Sequence, residues 1–307
     1  MSFVPSTRVE SPTERRNPRT LDIDQVSTAE VLRLLHEEDR LLPDAVGAVL
    51  PELARVVDET AARLEAGGRL HYFGAGTSGR IAVMDAAELI PTFSLPPDIV
   101  VAHHAGGAAA MTHPTEGAED STGLGAQDAG AVGPGDVVVG LTASGRTPYV
   151  EGALRAGRAA GAFTVLVSAN PGAPLAGLAD VHLGVDTGPE AIAGSTRLKA
   201  ATAQKMILNS MSTAVMVRLG HTYSNLMVDV AAANGKLRGR LVTILVEATG
   251  LDEAVCRDAL AAAGGELKTA LVCLLAGCLP PAARTALDAC GGRVRGAVAW
   301  SAGPRTR

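Results

Sequence analysis

Residues 69–88 read RLHYFGAGTSGRIAVMDAAE: an apolar run, a glycine-rich turn, then a pattern that continues as a helix. Gly74, Gly76 and Gly79 satisfy G-x-G-x-x-G between a strand and a helix, the turn that faces the pyrophosphate in dinucleotide folds. A dinucleotide site also needs an acidic residue at the end of the second strand, to take the ribose hydroxyls. The second strand here ends VVAHHAGG (100–107), with no carboxylate. The turn is therefore expected to hold one phosphate group rather than a dinucleotide. Thr77 and Ser78 add hydroxyls beside the backbone amides of a helix N-terminus, where anions bind.

Working outward, five runs have the apolar, β-branched character of buried parallel strands: residues 69–76, 98–106, 136–144, 162–170 and 181–188. Helical patterns separate most of them, so the expected fold is α/β, a doubly wound five-stranded parallel sheet flanked by helices. The third run ends TASGRTPY, a second hydroxyl-rich turn with Thr142, Ser144, Gly145, Arg146 and Thr147. Turns after strands one and three flank the crevice where open sheets bind ligands. Two such turns, each opening a helix, suit a compact dianion such as a sugar phosphate. Arg80 and Arg146 either assist it or form surface ion pairs.

Before the sheet, STAEVLRLLHEEDR (27–40) opens with a capping box, Ser27 and Glu30, and a second helix is expected over residues 43–65. After it, residues 198–219 have no wide polar face and predict a long helix buried in a core or a subunit interface. Beyond residue 234 come four short helical patterns, each ending in glycine as a C-cap. The expected organisation is an N-terminal arm and helices (1–66), a sugar-phosphate-binding sheet domain with the long helix (67–235), and a small helical domain (236–307).

Composition narrows the function. Formal charge is −5, hydrophobic content 47% and aromatic content 3%. No basic footprint for nucleic acid is present, and the longest apolar stretch, TALVCLLAGCLPPAA, is too short for a bilayer. The N-terminus lacks the apolar segment of a secretory signal. Cys256, Cys273, Cys278 and Cys290 form no C-x-x-C pair and are expected to be free thiols in a reducing cytoplasm. His103, His104, His113 and His221 have no metal-site spacing and are expected at strand ends or in helix packing. No metal or cofactor is expected.

GAGTSGR, ASGRTPY, GPEAIAGSTRLKAATAQK (188–205) and NLMVDV (225–230), together with TERRNPRT (13–20), resemble the sugar-isomerase (SIS) superfamily. More narrowly, they resemble the N-acetylmuramic acid 6-phosphate etherases. The resemblance implies a cytoplasmic, homodimeric, metal-free lyase of peptidoglycan amino-sugar recycling, with its active site near the subunit interface. It would cleave the lactyl ether of N-acetylmuramic acid 6-phosphate to N-acetylglucosamine 6-phosphate and D-lactate. The family's catalytic glutamates fall in MDAAELIPTF (84–93) and HPTEGAEDS (113–121), which places the roles on Glu88, as acid, and Glu119, as base. By composition alone Glu88 is a solvated helix-end charge, and Glu119 one of an acidic cluster with Glu116 and Asp120. The resemblance also implies that Glu190 and Ser195 line the sugar site. Otherwise Ser195 or Thr196 caps the long helix and Lys199 is a surface charge. Two alternatives remain: an aldose–ketose isomerase of the same superfamily, and a sugar-phosphate-sensing regulator like the glucokinase regulatory protein.

Overall fold

The computed structural model describes residues 11–113, 115, 117–230 and 235–302. Glu116 of the acidic cluster and the first ten residues of the arm lie outside these. The chain divides into two compact units, residues 1–86 with 98–212 and residues 87–97 with 213–307.

The first unit begins with two tight turns, Pro12–Glu14 and Pro18–Thr20, followed by α1 (Thr28–Asp39). Ser27 caps α1 by accepting the Glu30 amide at 3.3 Å, while the Glu30 carboxylate turns outward to Arg33, so only half of the expected capping box forms. The helix expected over residues 43–65 is two helices, α2 (Leu42–Gly47) and α3 (Leu50–Glu65). Pro51 is the reason. It has no amide to bond the Gly47 carbonyl, and its ring would clash with that group, so the chain restarts with proline in the first turn.

The sheet follows as β1 (Leu70–Gly74), α4 (Gly76–Phe93), β2 (Val100–His104), α5 (Thr122–Asp128), β3 (Val137–Thr142), α6 (Pro148–Ala159), β4 (Phe163–Ser168), β5 (Val181–Gly184) and α7 (Lys199–Leu219). All five strands are parallel, in the order β2-β1-β3-β4-β5. Residues of β1, β3 and β4 are buried on both faces, which is why these strands read as unbroken apolar runs. On one face Phe73, Val138 and Leu166 pack against Tyr149, Val150 and Leu154 of α6. The order places the switch point between β1 and β3, as the two turns require.

The second unit carries the end of α4, the end of α7, a hairpin of β6 (Thr222–Tyr223) and β7 (Leu226–Met227), and five helices. These are α8 (Gly235–Thr249), α9 (Glu253–Ala262), α10 (Leu267–Ala276), α11 (Pro280–Ala289) and α12 (Val294–Ser301). Leu241, Leu245, Cys256, Leu271, Ala283 and Ala297 form its core. Gly250, Gly264, Gly277 and Gly291, at the four predicted helix ends, all have positive φ. The hairpin and α12 were not foreseen: the hairpin has two residues per strand, and Arg293, ahead of α12, provides no side-chain cap. All four cysteines are free thiols. Among the described residues no single helix is long and apolar enough to cross a membrane.

Candidate active site

The glycine turn is built by close backbone contact. A Cβ on Gly74 would lie 2.8 Å from the Gly79 nitrogen, and one on Gly79 would lie 2.6 Å from the Gly74 carbonyl oxygen. Only glycine at both positions lets β1 pass straight into α4. Gly76 takes φ +54 at the helix start, and Thr77 and Ser78 are half-buried there. The first amides of a helix have no partner within it, so this end is a set of donors facing outward. His104 closes the turn from below. It is 7% exposed, its Nε2 lies 3.1 Å from the Gly76 carbonyl and its Nδ1 2.8 Å from that of Ala105. Arg80 is engaged elsewhere. Its guanidinium donates to the carbonyls of Ala110 and Met111 and fixes the segment after β2.

The second turn lies beside the first because Gly74 of β1 pairs with Leu141 of β3, one strand spacing away, about 4.8 Å. Thr142, expected among the anion-facing hydroxyls, instead organises the turn: its Oγ1 accepts the Gly145 amide and lies 2.7 Å from Thr147 Oγ1. Gly145 has φ +74, and a Cβ there would sit 2.3 Å from that of Ala173. Asn170 donates to the Ser144 carbonyl, and Leu175 to that of Gly145, so the loop after β4 grips the turn from outside. Ser144 is half-buried and Arg146 exposed at its rim.

Glu119 is exposed, and its carbonyl accepts the Tyr149 amide at 3.0 Å in the first turn of α6. The sequence thus brings Glu119 to the second turn through the packing of α5 on α6. A Cβ on Gly125 or on Gly152 would meet a carbonyl oxygen of the facing helix at 1.9 Å, so glycine at each crossing point lets the helices touch. Those glycines were a legible signal that the sequence reading passed over. Glu88 is exposed on α4, which runs unbroken from Gly76 to Phe93. Three residues before it, buried Asp85 accepts from Tyr72 of β1 and Ser212 of α7, both at 3.1 Å, which fixes α4 on the sheet. Burial pushes the Asp85 carboxyl above its ordinary value, and these two donors oppose that rise.

The segment between β5 and α7 departs most from expectation. Ser195 and Thr196 do not cap α7. Glu190 does, fully buried, with one carboxylate oxygen accepting the Lys199 amide and the other that of Ala200, each at 2.9 Å. Burial raises the Glu190 carboxyl, and the two amides partly offset it. Lys199 is not a surface charge. It is 1% exposed, and its Nζ lies 2.7 Å from Glu38 on α1. Arg19 adds a forked contact to the same carboxylate. Burial opposes ionisation of Glu38, yet hydrogen bonds from Arg19, Lys199 and Asn17 outweigh it and hold the carboxyl at about 2. No spacing rule links residues 161 apart in sequence, so this cluster was invisible beforehand. Ser195 is half-buried on the same loop.

The remaining histidines are structural in position. His71 Nδ1 lies 3.1 Å from His103 Nε2, and His103 stacks on Phe73. His221 faces Asp229 within the second unit, and His113 is exposed. Among the described residues, no group of three or more His, Cys, Asp or Glu side chains could hold a metal ion.

Sheet order, paired turns and capped α7 define the class: a doubly wound parallel α/β fold of the SIS type. The profile of the glucokinase regulatory protein N-terminal SIS domain matches residues 52–158. A phosphoheptose isomerase from Francisella tularensis superposes with a TM-score of 0.50 at 18% identity, over 62% of this chain and 98% of its own. Identity to two curated relatives is much higher. An N-acetylmuramic acid 6-phosphate etherase from Thermobifida fusca is 61% identical, over 90% of each chain. Another from Symbiobacterium thermophilum is 54% identical, over 86% of this chain and 89% of its own. The chain belongs to the N-acetylmuramic acid 6-phosphate etherase family, and so to the carbon–oxygen lyases.

Proposed function

We propose that the chain cleaves the D-lactyl ether of N-acetylmuramic acid 6-phosphate, giving N-acetylglucosamine 6-phosphate and D-lactate. The observation that carries this reading is the 61% identity to an etherase along nine-tenths of both chains. The phosphate sits on Gly76, Thr77 and Ser78 of the first turn and Ser144, Gly145, Arg146 and Thr147 of the second. Ser195 lines the sugar, and Glu190 acts from behind it by holding the start of α7. The work takes place in the cytoplasm, in amino-sugar recycling, with residues 67–235 as the binding domain and residues 236–307 as a small helical domain.

The chemistry follows from the substrate. In the open-chain aldehyde the C2 proton is acidic. Glu119 removes it, the electron pair forms the C2=C3 bond, and the C3–O bond breaks as Glu88 protonates the departing lactate oxygen. Water then adds its oxygen to C3 and a proton returns to C2, with the two carboxyl groups exchanging roles. General acid–base groups contribute about 10²–10⁴-fold each. Accordingly, Glu119→Gln should lower lactate release by about that factor while leaving the melting temperature unchanged, since the side chain is exposed.

α4 is unbroken, so Glu88 lies about 15 Å along its axis from Ser78, farther than a hexose phosphate held at the helix start extends. We therefore place Glu88 in the site of the second subunit of a homodimer. Mixing Glu88→Gln chains with Ser78→Ala chains tests this, since recovered activity in the mixture is expected and its absence refutes the arrangement. The reaction itself is tested in isotopically labelled water. Unlabelled D-lactate and label at C3 of the product are expected. Label in the lactate hydroxyl would mean displacement at the lactyl carbon and would end the elimination scheme.

A further inference from the structure

The proposed substrate carries two anions, a phosphate and a lactyl carboxylate, and the two turns account for one. Arg146 belongs to the second turn, and three other cations of the first unit are already engaged: Arg80 by the carbonyls of Ala110 and Met111, Arg19 and Lys199 by Glu38. The N-terminal arm brings others. Thr13 accepts the Gly194 amide at 3.0 Å, Asn17 donates to the Pro189 carbonyl at 3.4 Å, and Thr20 to that of Ala191 at 2.7 Å. The arm is thus laid along residues 189–194 and fastened on both sides of Arg15 and Arg16. The approach is close enough that a Cβ on Gly194 would lie 3.0 Å from Glu14 Oε2. Arg197 projects from the same loop, two residues after Ser195. All three arginines are exposed, and none makes a side-chain hydrogen bond or ion pair with a described residue. In a chain of net charge −5, three guanidinium groups without a partner among the described residues, two on the arm and one on the loop to which it is fastened, are a concentrated exception.

We propose that Arg15, Arg16 and Arg197 form a second anion subsite that recognises the lactyl carboxylate of the substrate. The inference rests on the etherase reading above. β5, which leads into this loop, lies two strand spacings from β3, about 10 Å, so phosphate and carboxylate subsites stand apart as the two ends of one hexose derivative do. Arginine suits the task, because its planar fork matches a carboxylate and keeps its charge at any working pH. The same charges favour the lactate oxygen's departure by holding the group that leaves.

The test compares N-acetylmuramic acid 6-phosphate with its lactyl methyl ester, which keeps the ether and phosphate but lacks the carboxylate charge. The wild-type chain should prefer the acid in kcat/KM. In the triple variant R15A/R16A/R197A, the ratio of acid to ester should fall about tenfold or more, the usual yield of a charge-assisted contact. The triple glutamine variant gives the same reading with less loss of side-chain volume. A ratio within about twofold of wild type in both variants overturns the subsite. Absence of lactate from both substrates in the wild-type chain would instead overturn the etherase reading, so the two failures are distinct.

Discussion

The glycine turns after β1 and β3 and the loop before α7 all present hydroxyls ahead of a helix, yet they are held in different ways. The turns are fixed by close packing and neutral hydrogen bonds: Gly74 against the Gly79 backbone, Gly145 against the Ala173 methyl, with Thr142 and Asn170 holding the second turn. The loop is fixed by buried charge and by an arm from the far end of the chain: Glu38, Lys199 and Arg19, with Glu190 capping the helix. Close packing is insensitive to pH and salt, whereas an ion cluster must keep its protons in order. The two turns are therefore rigid by sterics, and the loop before α7 by electrostatics.

The largest test of this contrast is Lys199→Met. Removing one partner of a buried pair costs about 3–5 kcal/mol, and the lower figure is expected here because Arg19 still covers Glu38. Chemical denaturation should show that loss, and restoring most of it with Glu38→Leu added would confirm that the uncompensated charge was its source. Gly145→Ala is next. It forces a Cβ into Ala173 at a positive φ, with an expected cost of about 1–3 kcal/mol and a raised KM for the phosphate substrate.

Acid titration separates the regions by window. Burial, with the neighbouring His71 as a lesser cause, lowers His103 from 6.5 to about 4. The unfolded chain binds that proton first, so the sheet's contribution is complete above 6.5 and is lost as pH falls through 4. Glu38 is lowered from 4.5 to about 2, so the arm's contribution is complete above 4.5 and is lost as pH falls through 2. Melting temperatures across pH should show both steps in the wild-type chain, with Glu38→Gln lacking the lower and His103→Asn the upper. The smallest effect is Thr20→Val, which removes one bond from the arm to Ala191 and should cost about 1 kcal/mol. A loss much larger than that would mean the arm docks as a single cooperative unit.

The legible parts of the molecule share one property: their signal lies within a few residues. β1, its glycine turn and the helix after it read correctly because apolar run and glycine spacing are contiguous. The helix ends at Gly250, Gly264, Gly277 and Gly291 read correctly because a positive φ at a C-cap is a local demand. Pro51 was equally local, and the split between α2 and α3 could have been foreseen from it. Lys199 could not. A lysine two residues past Arg197 looks solvated until α1, 161 residues earlier, is folded against it. The partners of Thr142 were hidden for a related reason, since a hydroxyl's partner is chosen by the turn's geometry rather than by its composition.

By itself, the sequence determined the five strands, the two glycine-bearing turns and, through its motifs, the family. Those depend on periodicity and on backbone freedom at single positions, which are written residue by residue. Only the tertiary structure decided that Glu190 caps α7, that Glu119 meets the first turn of α6, and that Lys199 is buried under Glu38. A buried charge or an orphan amide accepts whichever partner folding brings within 3 Å or so, and distance along the chain carries no record of that choice.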